Sequence, residues 1–211
     1  SVIFPGASRI GGRLVINGDN RRWLWVDKNG DGSGMYQTSE YSFYTVSDVR
    51  MLGLEVDDEG NIYLGSVDNG NVYKFPVNGF DAKGNPQYST ESMTFFTNVG
   101  HGAYSMKWVQ ETDMFFVGNG YDISTVDIWE NWSSPARKKV RSVTLPPHET
   151  QGDARQVIAD KDYFYVTYMI IGGPYTGKEG EIDIYKISDG SFVGYITPGP
   201  EIGSTSGWID L

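Results

Sequence analysis

Side-chain oxygens occupy every second residue of segment 27–33, at Asp27, Asn29, Asp31 and Ser33. A hard cation such as Ca²⁺ is wrapped by oxygen ligands on alternate residues of a glycine-containing loop. We therefore expect a calcium ion to be bound here. The alternative is a polar turn that binds no ion, because the Asn-Gly and Asp-Gly dipeptides of this segment are themselves strong hairpin signals.

Glu40 is the nearest acidic residue that could complete the calcium shell. An EF-hand loop needs a bidentate Glu at its twelfth position, which is Thr38 when the count begins at Asp27. Glu40 can therefore reach the ion only if residues 33–39 bulge. The flanking segments 13–16 and 41–46 have the alternation of strands and not the periodicity of helices. The sequence thus predicts a calcium loop within a β-hairpin.

His101 and His148 are the only two histidines of the chain, and each precedes the first strand of a repeating unit that is described below. Equivalent positions in successive units could bring both imidazoles to one ligand or metal ion. The alternative is that both are ordinary loop residues, since two histidines are too few ligands for a metal site.

Aromatic residues also stand in polar segments between the predicted strands, at Tyr36, Tyr121, Trp132 and Tyr175. A sugar ring stacks its apolar face on an aromatic side chain while its hydroxyls bond to polar neighbours. The pattern favours a carbohydrate ligand held by Tyr121, Trp132 and Tyr175 together with the histidines. The alternative is that these rings cover the hydrophobic core.

Sequence motifs of catalysis are absent. The chain has no Gly-x-Ser-x-Gly elbow, no His-Glu-x-x-His pair and no cysteine, and its Gly-rich segment 172–177 lacks the Gly-Lys-Ser/Thr of a phosphate-binding loop. These absences favour a binding or scaffold module over an enzyme.

The elements that must position these residues are short strands in a repeating order. Matching second strands, marked by Ile62, Phe115 and Phe164, lie 53 and 49 residues apart. A four-strand unit that repeats at this period, with no amphipathic helix between copies, is typical of a β-propeller. The sequence predicts an all-β fold of four-stranded antiparallel blades. The expected blades are residues 13–46 with 206–211, 51–96, 104–145 and 154–196.

The first of these units shows only three convincing strands, with residues 1–12 read as mostly loop. We expect Trp208-Ile-Asp-Leu211 to supply its innermost strand, which would close residues 1–211 into a single four-bladed domain. The alternative is a fragment of a six- to eight-bladed ring. In that case the missing blades belong to the remainder of a longer chain, and that remainder is the partner of residues 1–211.

Composition excludes several classes of partner and site. A formal net charge of −10 argues against nucleic acid, which requires a basic face to neutralise phosphates. The absence of cysteine excludes disulfides, thiol catalysis and cysteine-ligated metals. No apolar run approaches the roughly 18 residues that span a bilayer.

Two stretches resemble known propellers. Asp57-Asp-Glu-Gly-Asn-Ile-Tyr63 resembles the blade motif of NHL and gluconolactonase-type propellers, and segment 27–32 followed by Glu40-Tyr41 resembles the calcium insert of large secreted bacterial propeller proteins. The resemblance implies an extracellular or periplasmic, calcium-stabilised module that binds a carbohydrate or a protein surface. It also implies two alternatives. One is a metal-dependent lactonase or hydrolase with a divalent ion in the channel, and the other is a quinoprotein dehydrogenase-like propeller.

Overall fold

We analysed a computed structural model of the 211-residue chain. It describes residues 6–10, 13–17, 23–27, 35–40, 51–80, 82, 93–119, 125–145, 153–169 and 182–196. Side-chain burial is described for residues 53–80, 82, 93–119, 125–145, 156–167 and 182–196.

All regular secondary structure in the described part is β-strand, arranged as four antiparallel sheets of four strands each. Within every sheet the strands are neighbours in chain order, so each sheet is a meander. The strands are β1 Gly6–Ile10, β2 Arg13–Asn17, β3 Trp23–Asp27, β4 Met35–Glu40, β5 Met51–Val56, β6 Ile62–Ser66, β7 Asn71–Phe75, β8 Thr94–Asn98, β9 Ala103–Val109, β10 Met114–Asn119, β11 Thr125–Glu130, β12 Lys138–Thr144, β13 Asp153–Ala159, β14 Tyr163–Met169, β15 Ile182–Lys186 and β16 Phe192–Ile196.

The chain divides into two compact units, Ser1–Ala103 and Tyr104–Leu211. The first unit contains the sheets β1–β4 and β5–β8, and the second contains β9–β12 and β13–β16. No helix among the described residues is long and apolar enough to cross a membrane.

The first sheet corrects the predicted first blade at both ends. Its strand next to β2 is Gly6–Ile10, so the place that we had assigned to Trp208–Leu211 is filled from the segment that we had read as loop. Residues Met35–Glu40 pair with β3 as the fourth strand of this sheet, in the place where we had expected residues 41–46. Residues 41–46 and 206–211 lie outside the described residues.

Burial falls from the early to the late strands of the second sheet. Every residue of β6 is buried, whereas β8 is exposed or half-exposed along its whole length. Ile62, Leu64, Val72 and Phe75 form the centre of this sheet and are each 0% exposed. Tyr63, between Ile62 and Leu64, is also buried at 2%, so both faces of β6 are covered.

In the second unit, the two sheets pack through their early strands. Phe116 on β10 contacts Phe164 on β14, with ring centroids 5.9 Å apart. The Val157 amide on β13 donates to the Ser105 hydroxyl on β9 at 2.9 Å. Both groups of this hydrogen bond are buried, so it satisfies polar atoms that would otherwise be costly between apolar layers.

One hydrogen bond recurs in the last three sheets. It joins the turn that follows the first strand to the segment that follows the third strand. The Val77 amide donates to Asn61 Oδ1 at 3.1 Å, the Ser133 amide to Asp113 Oδ1 at 3.0 Å, and the Ile187 amide to the Asp162 carbonyl at 3.0 Å. In each of these sheets, a backbone amide after the third strand thus donates to an oxygen in the first turn, which is a side-chain oxygen in two sheets and a carbonyl in the last. This supports the internal repeat predicted from the strand spacing.

Candidate functional site

His101 lies on the connection between β8 and β9, where the backbone packs tightly onto the β6–β7 turn. The Val99 amide donates to the Gly70 carbonyl at 2.9 Å. A Cβ added at Gly70 would lie 2.1 Å from the His101 carbonyl oxygen, and one at Gly102 would lie 2.1 Å from the Val67 carbonyl oxygen. Glycine is therefore required on both sides of this contact, which fixes the backbone at His101 while its side chain is exposed.

Three asparagines next to His101 form a chain of hydrogen bonds. Asn98 Nδ2 donates to the Asn69 carbonyl oxygen at 2.9 Å and to Asn71 Oδ1 at 2.6 Å. Asn98 Oδ1 accepts a bond from the Gly100 amide at 2.7 Å. A carbonyl oxygen can only accept, so its contact with Asn98 determines the orientation of that amide and, through it, the orientation of Asn71.

Aromatic rings continue this chain along β7 and β8. Asn71 Nδ2 donates to the Tyr73 hydroxyl at 3.2 Å. The Tyr73 ring meets the Phe95 ring edge-on, with centroids 6.1 Å apart and planes at 78°. Phe95 is 59% exposed although it is a large apolar side chain. We call Asn69, Asn71, Asn98, Tyr73 and Phe95 the amide–aromatic strip.

Several polar groups of the strip have no partner among the described residues. The unused donors are both Asn69 Nδ2 hydrogens, the second Asn71 Nδ2 hydrogen and the Tyr73 hydroxyl hydrogen. The bond from Asn71 uses the Tyr73 oxygen only as an acceptor, which leaves the hydroxyl hydrogen to donate. Asn98 Oδ1 has one acceptor site left beyond the Gly100 bond. The strip therefore offers donors and an acceptor beside one exposed ring face.

Register explains why these residues meet. Asn71 pairs with Asn98 and Tyr73 with Phe95, with a bulge between the two pairs that leaves Phe96 as the extra residue. Sequence reasoning missed the strip because it treated both strands only as core elements. The pattern Asn71-Val-Tyr73 carried part of the signal, but Asn98 lies two residues beyond residue 96, where we had expected the second blade to end.

Of the predicted ligand-binding residues, His101 is brought beside this strip. His148, Tyr121 and Tyr175 lie outside the described residues. Tyr36 lies in β4 opposite Val26 and not in a loop. Among the described residues, no group of three or more His, Cys, Asp or Glu side chains could hold a metal ion.

Trp132 is a core residue, which corrects its predicted role as an exposed platform for sugars. It is 0% exposed and stacks on Phe115, with ring centroids 3.7 Å apart and planes at 5°. Trp129 meets it edge-on at 6.0 Å. Neither face of a ring that is buried in this way can receive a ligand, so the alternative of a lid on the core describes Trp132 correctly.

The β3–β4 register bears on the expected calcium loop. Asp27 is the last residue of β3 and pairs with Met35, while Glu40 pairs with Trp23 at the other end of the ladder. Trp23 and Asp27 are four residues apart along β3, which at a rise of about 3.3 Å per residue is roughly 13 Å. The backbone of Glu40, opposite Trp23, is therefore about as far from Asp27. The bulge in β4 is a single residue, Thr38, and does not bring Glu40 back. Asn29, Asp31 and Ser33 lie outside the described residues.

Comparison with known proteins identifies the fold. No protein-family model and no curated protein sequence matches the chain. Two solved structures align over most of it. Hydrazine synthase of Kuenenia stuttgartiensis has 14% identity and a TM-score of 0.54, over 88% of this chain and 46% of that one. The β-propeller domain of Myceliophteria thermophila Cps50 (Swd1) has 11% identity and a TM-score of 0.50, over 90% of this chain and 56% of that one.

The fold is a β-propeller. The four antiparallel four-stranded meanders are its blades, as the strand periodicity predicted. Identities of 11–14% establish the architecture and nothing finer. The chain spans about half of the length of these two structures, 46% and 56%.

Proposed function

We propose that this β-propeller is a carbohydrate-binding module and that the amide–aromatic strip holds the sugar. The observation that carries the proposal is the exposed Phe95 ring beside amide groups of fixed orientation. A pyranose ring could stack on Phe95 while its hydroxyls accept from Asn69 and Asn71 and donate to Asn98 Oδ1. We also propose exposed His101 as a further hydroxyl partner, because its backbone packs against Gly70, between Asn69 and Asn71.

The chemistry of the strip favours a neutral polyhydroxylated ligand over a charged one. Its hydrogen-bonding groups are neutral amides and a phenol, so no formal charge within it would select an ion. Hydroxyl groups both donate and accept, which suits a surface that offers both kinds of group side by side. A shallow strip of this kind buries little ligand area, and we expect weak affinity unless several sugar units bind together.

Glycan binding to the isolated protein tests the proposal, with Phe95→Ala as the diagnostic variant. Phe192→Ala is a matched control, because Phe192 is 52% exposed on an outermost strand and meets Tyr185 edge-on at 5.5 Å. A glycan array followed by titration of the best oligosaccharide should show about tenfold weaker binding for Phe95→Ala and no change for Phe192→Ala. Absence of any bound glycan, or equal losses in both variants, would refute the proposal.

Protein binding is the second candidate function, and β16 favours it. Phe192, Val193, Tyr195 and Ile196 are each 48–60% exposed on this edge strand. An exposed, uncharged apolar edge can pair with another chain. Val193→Lys should then abolish partner binding or self-association in sedimentation experiments, whereas Phe95→Ala should not.

The proposal extends to calcium and to location. The support for calcium is the alternation of oxygens at Asp27, Asn29, Asp31 and Ser33, in a connection whose ends are held together by the pairing of Asp27 with Met35. Glu40 has no such support. We propose an extracellular or periplasmic location, because a calcium loop with few charged ligands matches the weak sites of extracellular modules, with Kd of about 10⁻⁴–10⁻³ M. We also propose blades of the NHL and gluconolactonase type. The support is that the Tyr63 hydroxyl donates to Asp57 in the 57–63 motif and that the Tyr165 hydroxyl donates to Asp160 in the same way.

A further inference from the structure

A cleft of about 510 Å³ lies in the second unit between the outermost strand β12 and the β15–β16 turn. Its lining consists of Arg141, Ser142, Val143, Thr144, Asp189 and Gly190. None of these residues belongs to the amide–aromatic strip. The cleft is open to solvent, so it leaves room for a small ligand that stays partly exposed.

Arg141 is held in place by the β15–β16 turn. Its Nη2 donates to the Ser188 carbonyl oxygen at 3.0 Å. A Cβ on Gly190 would lie 3.2 Å from Arg141 Cδ and 2.8 Å from Val143 Cγ2, and Gly190 has a φ of +76°. The positive φ therefore favours glycine at this position, and an added Cβ would also crowd the Val143 and Arg141 side chains. A guanidinium has five N–H donors, so most of them are not used by the Ser188 bond.

Asp189 stands on the same turn and is fixed by Ser191, whose amide donates to Asp189 Oδ1 at 2.9 Å. The Ser191 hydroxyl and then its amide hold the pKa of Asp189 below the usual value, so the carboxylate is charged at neutral pH. Among the described residues, no cation forms an ion pair with Asp189. Lys186 and Arg141 also attract this carboxylate and lower its pKa further, but neither forms a salt bridge with it in the part of the chain that the structure describes. The cleft therefore places a positive and a negative group near each other without direct pairing.

We propose that this cleft binds a zwitterion, a free amino acid or short peptide whose carboxylate pairs with Arg141 and whose ammonium pairs with Asp189. A ligand of one charge would satisfy one of these groups and be repelled by the other. A neutral ligand would leave both without a counter-charge. Arginine forms bidentate bonds with carboxylates, which adds directionality at one end of the ligand.

Titration of ¹⁵N-labelled protein with glycine, diglycine, triglycine and tetraglycine tests the proposal. The series keeps both terminal charges and changes only the distance between them. At least one member should shift the backbone amide signals of residues 141–144 and 188–191 in a saturable manner. N-acetyl-triglycine amide, which lacks both charges, should cause no such shifts.

Two variants remove one charge each. Asp189→Asn is isosteric and retains an acceptor for the Ser191 amide, and Arg141→Gln retains an amide donor on a shorter side chain. Each should weaken the best peptide about tenfold, because one charged pair is lost. Lys138→Gln is the control, since Lys138 lies on the same strand, is 64% exposed and does not line the cleft. The affinity of Lys138→Gln for the best peptide should equal that of the wild type.

Three outcomes would overturn the proposal. One is that no zwitterion of the series shifts these signals at millimolar concentrations. Another is that the blocked tripeptide binds as well as triglycine. The third is that Arg141→Gln and Asp189→Asn, with otherwise unchanged spectra, bind as tightly as Lys138→Gln.

Discussion

The Tyr63 hydroxyl donates to the Asp57 carboxylate at 3.1 Å, and this bond joins the β5–β6 turn to the strand that follows it. The β13–β14 turn repeats the relationship, because the Tyr165 hydroxyl donates to Asp160 at 2.9 Å. Both acids also accept backbone amides of their own turns. A buried or half-buried carboxylate that is satisfied in this way fixes the turn and hence the register of the two strands that it joins.

Asp57→Ala should destabilise the protein by about 3 kcal/mol, since it leaves several buried donors without their acceptor. Asp57 is 5% exposed and accepts from the Asn61 amide at 2.8 Å and from Asn61 Nδ2 at 2.8 Å, in addition to Tyr63. Asp57→Asn should lose less, because one oxygen still accepts the backbone bonds. Urea unfolding measures both, with exposed Glu111→Ala as control. A loss for Asp57→Ala no greater than the control would show that the turn is not fixed by this carboxylate.

Tyr165→Phe should cost about 1 kcal/mol at neutral pH, because it removes the donor to Asp160 and leaves the ring in place. Tyr163→Phe is the control, since no side-chain hydrogen bond of Tyr163 is found among the described residues. Chemical denaturation of the three proteins at pH 7 gives the comparison. Equal values for the two variants would contradict the role of the Tyr165 hydroxyl.

The pH dependence of the same pair gives a second prediction. Burial and then the bond to Asp160 raise the pKa of Tyr165 to about 12. Because the folded pKa exceeds the unfolded value of about 10, the stabilisation is complete below pH 10 and is lost as the pH rises towards 12. Partial burial acts to raise the pKa of Asp160, but the amides of Tyr163 and Asp162 and the Tyr165 hydroxyl lower it more. Its contribution is therefore present above about pH 4 and is lost in acid.

The free energy of unfolding of wild type and Tyr165→Phe, measured between pH 3 and pH 12, checks both signs. The difference between the two proteins should be largest near neutral pH, and it should shrink above pH 10 and also below pH 4. A difference that is constant across the whole range would mean that the hydrogen bond does not couple to either titration.

Alanine substitutions at three glycines near His101 distinguish the cost of backbone strain from the cost of steric overlap. Gly100 has a φ of +87° with nothing within 4 Å of an added Cβ, whereas Gly70 combines a φ of +71° with a 2.1 Å overlap. Gly102 has the overlap alone. Substitution by Ala should cost about 1 kcal/mol at Gly100 and more than about 2 kcal/mol at Gly102, with the largest loss at Gly70. Thermal melts rank the three variants, and a ranking with Gly100→Ala as the worst would contradict the close packing of this connection.

Strand positions were predictable wherever apolar alternation is bounded by turn residues. Met51–Val56 begins where the expected second blade begins, and Phe192–Ile196 ends where the expected fourth blade ends. Gly6–Ile10 was missed because Gly-Ala-Ser-Arg-Ile has little β-branched or aromatic character. Its strand state comes from pairing with β2 across the two-residue connection Gly11-Gly12, a hairpin signal that propensity alone undervalues.

The candidate site was less predictable because it depends on which strands pair and which rings are covered. Asn71 and Asn98 are far apart in the chain and meet only through the β7–β8 register. Trp132 is flanked by Asn131 and Ser133, so its surroundings in sequence are those of a surface loop. Its burial is set by contact with Phe115 in another strand, and local sequence carries no signal of that contact.

Calcium should raise the thermal stability of the wild type, and the β3–β4 register separates the roles of two of the predicted ligands. A ligand that binds only the folded state stabilises it by RT ln(1 + [L]/Kd), which at about 100 times Kd is about 2.7 kcal/mol. For a chain of this size that corresponds to a rise of about 5–10 °C between chelator and calcium. Elemental analysis should then find about one calcium ion per chain.

Asp31→Ala should remove most of this rise, and in chelator it should melt at the temperature of the wild type. Glu40→Ala should keep the rise, because Glu40 pairs with Trp23 at the end of the ladder away from Asp27. Equal losses for Asp31→Ala in calcium and in chelator would mean that the segment is a plain turn. Loss of the rise in Glu40→Ala would mean that the strands pair differently when calcium is bound, since this register holds Glu40 away from the loop.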